Sequence, residues 1–171
     1  TNIWANVVPL DAVRYNREHQ LIDFAKRFAL TKRTGAEFIF INQPWQLRQT
    51  NARRIVEPTE LFLIARTLSD QLSHARYLGH FYLSPDIIAL IFQRQTKGFL
   101  LSWHNNYRAD LPADQTEFSL TLGDQPEMMD LFGNRAPLKT QNNLTTLRVT
   151  NWPVLITGIN PQLAQLRASL S

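Results

Sequence analysis

The chain has 171 residues, 44% hydrophobic and 19% charged, a balance suited to a packed globular protein and well away from the disordered class. Its 18 basic and 14 acidic residues give a formal charge of +4. The excess is scattered through the first half (Arg14, Arg17, Lys26, Arg27, Lys32, Arg33, Arg48, Arg53, Arg54) rather than gathered in a stripe interleaved with aromatics, so nucleic acid is not an expected partner. The absence of cysteine excludes disulfides and thiolate metal sites, and no run approaches the roughly 20 apolar residues of a membrane helix, so no membrane partner is expected either.

The sequence starts on Thr1 and reaches Ile3, Trp4, Val7 and Val8 at once, without the basic-then-apolar layout of a signal peptide. It reads as a chain entered midway, with truncation preferred over processing of a precursor. From Glu18 to Leu30, Leu21, Phe24, Ala25 and Phe28 recur at the spacing of one helical face, and Gly35 is the stop. Ala36 to Ile41 is a short apolar run between Gly35 and Asn42-Gln43-Pro44, which predicts a buried strand. Gln46 to Glu57 is polar and reads as a long loop. Pro58 is suited to the first position of a second helix, with Leu61, Ile64, Ala65, Leu68 and Leu72 as its apolar stripe and an end near Ser73.

Beyond Ser73 the period becomes strand-like. Tyr77 to Leu83, Ile87 to Phe92, Phe99 to Trp103, Glu117 to Leu122, Glu127 to Leu131, Leu144 to Val149 and Val154 to Thr157 are short candidates in succession, as in a sandwich. Phe118, Leu120 and Leu122 alternate with polar neighbours, the pattern of a strand with one wet face. Lys97-Gly98 is the expected hairpin turn, with Gln93 to Thr96 on its approach. After Asn160-Pro161 the tail carries Leu163, Leu166 and Leu170, compatible with a frayed amphipathic helix.

Catalytic signatures are sparse. His19, His74, His80 and His104 lack the i, i+4 spacing of a zinc protease site, so no metal is expected. With six glycines there is no nucleophile elbow, phosphate loop or dinucleotide fingerprint, and no cofactor is expected. Glu37 is the one carboxylate within an apolar run. It reads either as a general acid raised by desolvation or, preferably, as a strand-start residue with its head in solvent or paired with Lys32 or Arg33.

What remains is Asn42-Gln43-Pro44-Trp45, which follows the predicted strand at its C-terminal end, where α/β architectures place ligands. An indole face suits a sugar ring, and the amides of Asn42 and Gln43 suit its hydroxyls; equally, Trp45 can simply cover the strand end or the second helix. Trp103 and Trp152 read as core residues of the sandwich.

Read in order, Ile88-Ala-Leu-Ile-Phe92, Phe99-Leu-Leu-Ser-Trp103, Asp130-Leu-Phe-Gly-Asn134 and Trp152-Pro-Val-Leu-Ile-Thr-Gly158 resemble the accessory β-sandwich of clan A glycoside hydrolases of the xylosidase and iduronidase type. Thr34-Gly-Ala-Glu-Phe-Ile-Phe-Ile41 with Pro44-Trp45 and the helix from Pro58 resembles the last unit of their barrel. The resemblance implies an α+β chain: an N-terminal helix-strand-helix segment (a partial α/β barrel) over residues 1–74, an antiparallel β-sandwich over 75–160, and a C-terminal tail over 161–171. It implies that the catalytic glutamates, at the ends of the fourth and seventh barrel strands, lie upstream of Thr1, so that the chain alone is inactive. It also implies that Trp4 and Asn6 line the cleft just after the seventh strand, that carbohydrate is bound through the intact parent, and that the parent is secreted or periplasmic. Two other readings stay open: a stand-alone carbohydrate- or protein-binding β-sandwich module, and a purely structural domain. The fragment reading predicts exposed apolar surface around Phe24, Phe28 and Phe38 to Ile41. Oligomeric state is not legible.

Overall fold

Two short strands far apart in sequence organise the first part of the chain. In the computed structural model, which describes residues 3–42, 44–50, 53–105, 116–123 and 125–169, β1 (Trp4–Val7) pairs in parallel with β2 (Phe38–Ile41), and helix α1 (Arg17–Arg33) makes the crossover between them. A parallel pair needs such a connection because its ends lie at opposite edges of the sheet. Asn16 caps α1 by accepting a hydrogen bond from the His19 amide at 2.8 Å, and Gly35, at φ +87°, ends it in the left-handed conformation that glycine adopts without strain. The predicted helical face is the buried one: Leu21, Phe24, Ala25 and Phe28 are all in the core.

Where a long loop was expected, the chain forms an antiparallel hairpin, β3 (Trp45–Gln49) with β4 (Arg54–Pro58). Neither strand buries a face, so neither carries the alternation that marks a strand in sequence. Pro58 closes β4 rather than opening a helix: Trp45 is its cross-strand partner, and Thr59 precedes α2 (Glu60–Leu72) as its N-cap residue. The amide and hydroxyl of Thr59 both donate to the Pro44 carbonyl at 2.9 Å, which pins the base of the hairpin to the start of α2. The two helices pack together, and the expected stripe of α2 is buried. These elements lie in one of two units, Thr1–Ser73; the other is His74–Ser171.

The second unit is an antiparallel sandwich. Its large sheet has the order β10-β9-β13-β7-β6-β5, built from β5 (Arg76–Ser84), β6 (Ile87–Arg94), β7 (Lys97–His104), β9 (Glu127–Met129), β10 (Arg135–Pro137) and β13 (Val154–Ile159). Its small sheet is β11-β12-β8, from β8 (Thr116–Leu120), β11 (Thr140–Gln141) and β12 (Leu144–Val149). Phe81, Ile87, Ala89, Ile91, Leu100 and Ile156 from one sheet and Leu147 and Val149 from the other share one apolar core, the expected result of period-two alternation on facing sheets. The fold is thus α+β, a helix-and-strand segment followed by an antiparallel sandwich, as the sequence indicated.

Several local expectations shift. The β6–β7 hairpin turns at Gln95-Thr96, with Gln95 at φ +55° and Arg94 opposite Lys97. Gly98 is instead inside β7, where a Cβ would stand 3.1 Å from the Pro161 Cα and 3.0 Å from the Ile159 side chain. That close approach belongs to helix α3 (Pro161–Ser169), which packs on β5, β6 and β7. Asn160 accepts from the amides of Gln162 and Leu163 and Pro161 takes the first helical position, a strong helix start. The helix turns Ala164 and Ala168 to the sheet while Leu163 and Leu166 face outward; Leu170 lies outside the described residues. Trp103 is buried as expected and its indole donates to Asn105 at 2.8 Å, whereas Trp152 is only half-buried, 6.3 Å from the Phe132 ring.

Candidate functional site

The two ends of the β1–β2 sheet differ in chemistry. At the start, Trp4 stands beside Phe38 (ring centroids 5.2 Å) and near Phe40 (5.6 Å), and the three are 64%, 48% and 50% exposed. The parallel register pairs Trp4 with Phe38 and Asn6 with Phe40, so these four residues share one face, while Val7 on the other face is buried. Of the apolar surface expected around Phe24, Phe28 and Phe38 to Ile41, the α1 members are covered and Phe38 and Phe40 are exposed. The predicted strand is therefore half-exposed rather than buried, because only one of its faces has packing partners.

Val7 ends β1 and Ile41 ends β2, so the C-terminal edge of the sheet presents Asn6, Val7, Val8, Ile41 and Asn42, none of them acidic. The placement of Trp4 and Asn6 just after a strand is corrected: residues 4–7 are themselves a strand, paired in parallel with β2. Trp4 lies at the strand start, three residues or about 10 Å from the edge where ligands gather in parallel α/β folds. Asn42 lies at that edge and is exposed. Gln43 lies outside the described residues.

Trp45 opens β3 next to this edge. Its ring is 4.4 Å from that of Phe62 on α2, with 36° between the planes, yet the residue is 48% exposed. One side of the indole is thus supported by the helix and the other is open. Cross-strand pairing puts Trp45 and Pro58, Leu47 and Val56, and Gln49 and Arg54 on a single face of the hairpin. Leu47 and Val56 are exposed there at 74% and 61%. Neither the hairpin nor its apolar row was read from the sequence; the closely spaced β-branched pair Ile55-Val56 was the available signal.

Carboxylates near the site are engaged or peripheral. Glu60, in the first turn of α2, accepts from Arg17 at 2.6 Å, and that hydrogen bond, with help from its own backbone amide, holds its carboxyl below the usual glutamate range. Glu37 is exposed just before β2, and its amide donates to Ile3 at 3.0 Å; Lys32 donates to the Ala36 carbonyl instead. Among the described residues no group of three or more His, Asp or Glu side chains could hold a metal ion, and no helix is long and apolar enough to cross a membrane. His80 accepts or donates through Nδ1 to the Tyr77 hydroxyl at 2.7 Å, a local contact within β5.

A parallel strand pair joined by a helix, followed by a hairpin, a helix and a two-sheet sandwich, is an arrangement that solved proteins share. A family 39 glycoside hydrolase from the gut symbiont Bacteroides cellulosilyticus superposes over 93% of this chain with a TM-score of 0.66 at 14% identity. The fold is shared with glycoside hydrolases. A family 30 endoxylanase from Clostridium papyrosolvens matches over 92% with a TM-score of 0.64 at 9% identity, and a maltogenic α-amylase from Thermotoga neapolitana over 88% with 0.53 at 12%. The chain spans 34%, 42% and 39% of those three proteins, respectively. No protein-family model and no curated protein sequence matches it. The glycoside-hydrolase likeness, read from ordered motifs in the sequence, therefore rests on the fold.

Proposed function

We propose that this chain is the C-terminal part of a carbohydrate-active hydrolase, supplying the last two strands of a parallel barrel and its accessory sandwich while the catalytic carboxylates lie elsewhere. The observation that carries this reading is the β1–β2 sheet: a two-stranded parallel sheet covered by α1 on one side and bearing exposed Trp4, Phe38 and Phe40 on the other. Parallel sheets occur almost only with both faces covered, and the interior of an α/β barrel is filled by layers of such inward side chains. In this role Trp4 packs among Phe38 and Phe40 in the barrel interior, a better fit than the sugar contact expected of it. Trp45 and Asn42, at the C-terminal edge, take the sugar-binding role together with Gln43. Glycosidic cleavage needs two carboxyl groups flanking the bond, and the strand ends in this chain offer neither, so the chain alone has no glycosidase activity.

The competing reading, an autonomous carbohydrate- or protein-binding module, draws support from the self-contained core of the sandwich. Sequencing the DNA upstream of Thr1 separates the two. Further strand-helix units in frame, with glutamates ending two of the strands, support the barrel reading; a start codon or a secretion signal directly before Thr1 overturns it.

A further inference from the structure

The hairpin β3–β4 combines exposed apolar side chains with uncompensated positive charge. Cross-strand pairing places Leu47 and Val56 in the middle of one face and Gln49 and Arg54 toward its tip, with Trp45 and Pro58 at the base. Leu47 and Val56 are 74% and 61% exposed, and Ile55 on the other face is 41% exposed. The Glu57 carboxylate lies on the Ile55 face, 3.7 Å from Arg48. Arg53 and Arg54 are exposed and join no ion pair among the described residues, so their two charges stay open beside the apolar pair.

We propose that this hairpin docks the chain on an anionic lipid surface, with Leu47 and Val56 entering the boundary between headgroups and acyl chains and Arg53 and Arg54 pairing with the lipid phosphates. Apolar insertion joined to adjacent positive charge is the two-part attraction that holds peripheral proteins on anionic bilayers. Arginine suits the position because its aliphatic stem lies along apolar surface while its guanidinium reaches a phosphate through paired hydrogen bonds. The dimensions disfavour a protein occupant. At about 3.3 Å per residue the face is about 13 Å long, and two strands of that length offer on the order of 150 Å², well below the ~800 Å² per partner of a stable protein interface. A nucleic acid is less suited too, because Leu47 and Val56 provide no platform on which a base can stack. The expectation of no membrane partner came from the lack of a spanning run, and a peripheral contact requires none. The inference leaves Trp45 at the sheet edge and does not depend on its sugar-binding role.

The test is co-sedimentation of the full chain with vesicles of phosphatidylcholine alone and of phosphatidylcholine mixed with phosphatidylglycerol. Three double variants are compared with it: Arg53→Gln with Arg54→Gln, Leu47→Ser with Val56→Ser, and Phe38→Ser with Phe40→Ser as the control for the other apolar surface. All six side chains are exposed, so the variants should retain the wild-type circular dichroism and melting temperature. The expected result is binding to the mixed vesicles, weakened by salt, about tenfold weaker in each hairpin variant and unchanged in the control. Equal binding to both vesicle types, or unchanged binding in either hairpin variant, overturns the proposal. Loss of binding in the control alone overturns it as well and assigns the contact to the β1–β2 sheet. Binding to neither vesicle overturns it while leaving the barrel and sugar readings untouched. Self-association in sedimentation velocity that Leu47→Ser with Val56→Ser abolishes replaces the lipid with a second copy of the chain.

Discussion

Arg17 donates to Glu60 at 2.6 Å, joining the first turn of α1 to the first turn of α2. The link closes the packing of the two helices at the end where the hairpin delivers the chain into α2. Both side chains are about half-exposed, so the pair contributes no more than about 1 kcal/mol. Because the Glu60 pKa is depressed in the folded chain, its contribution is present above the unfolded glutamate pKa and is lost as pH falls through the folded value. Arg17→Met should lower the melting temperature slightly at pH 7 and leave it unchanged below the folded pKa. An equal loss at both pH values would mean that the aliphatic stem, not the charge, matters.

Lys26 provides the opposite pH dependence. Burial on α1 pushes its pKa from 10.5 down to about 8, against the smaller raising effect of Asp23. Between about pH 8 and 10.5 the unfolded chain binds more protons at this site than the folded chain, so this group's contribution to stability rises with pH across that window. After discounting for partial exposure, the rise is about 1–2 kcal/mol. Urea denaturation at pH 7.5 and 9.5 should show this increment in the parent chain and not in Lys26→Met. An identical increment in the variant would assign the effect to another group.

Gly158 and Gly35 both have positive φ, at +72° and +87°, but their surroundings differ. A Cβ at Gly158 would stand 2.4 Å from the Gln125 carbonyl oxygen, while a Cβ at Gly35 meets nothing within 4 Å. Gly35→Ala should therefore cost only the left-handed backbone term, about 1–2 kcal/mol, and Gly158→Ala clearly more, about 3 kcal/mol or above, because two backbones must separate. Thermal melts of the two variants provide the comparison; similar losses would show that the backbone around Gly158 in β13 relaxes freely.

Exposed Phe38 and Phe40 predict a dye-binding surface. The chain should enhance the fluorescence of an apolar probe such as ANS, and Phe38→Ser with Phe40→Ser should remove most of that signal with little change in the melt, since about half of each side chain is already in water. If the variant keeps the signal, the apolar surface responsible is elsewhere, with the Leu47 and Val56 row of the hairpin the next candidate.

The elements legible in sequence are those whose burial pattern has a local period. α1 and α2 were marked by apolar residues every three to four positions, and β6, β7 and β12 by apolar runs or alternation that the sandwich core then uses. The hairpin β3–β4 was not, because all but one of the residues in its two strands are exposed and polar or apolar identity is then unconstrained by packing. Gly98 misled for a related reason. Glycine marks turns and close backbone approaches alike, and only the position of α3 distinguishes the two.

Of the candidate site, Asn42 and Trp45 could be named in advance because they follow a strand, and strand C-terminal ends are where parallel folds gather ligands. That Trp4 sits at the opposite end, with Phe38 and Phe40, depends on pairing between segments separated by a whole helix. The sequence by itself marked α1 and α2 and the change to strand-like period beyond them, since these follow from local periodicity. Strand partners and the face on which each exposed aromatic lies were decided by tertiary structure, because hydrogen-bond register between distant segments leaves no local trace in residue order.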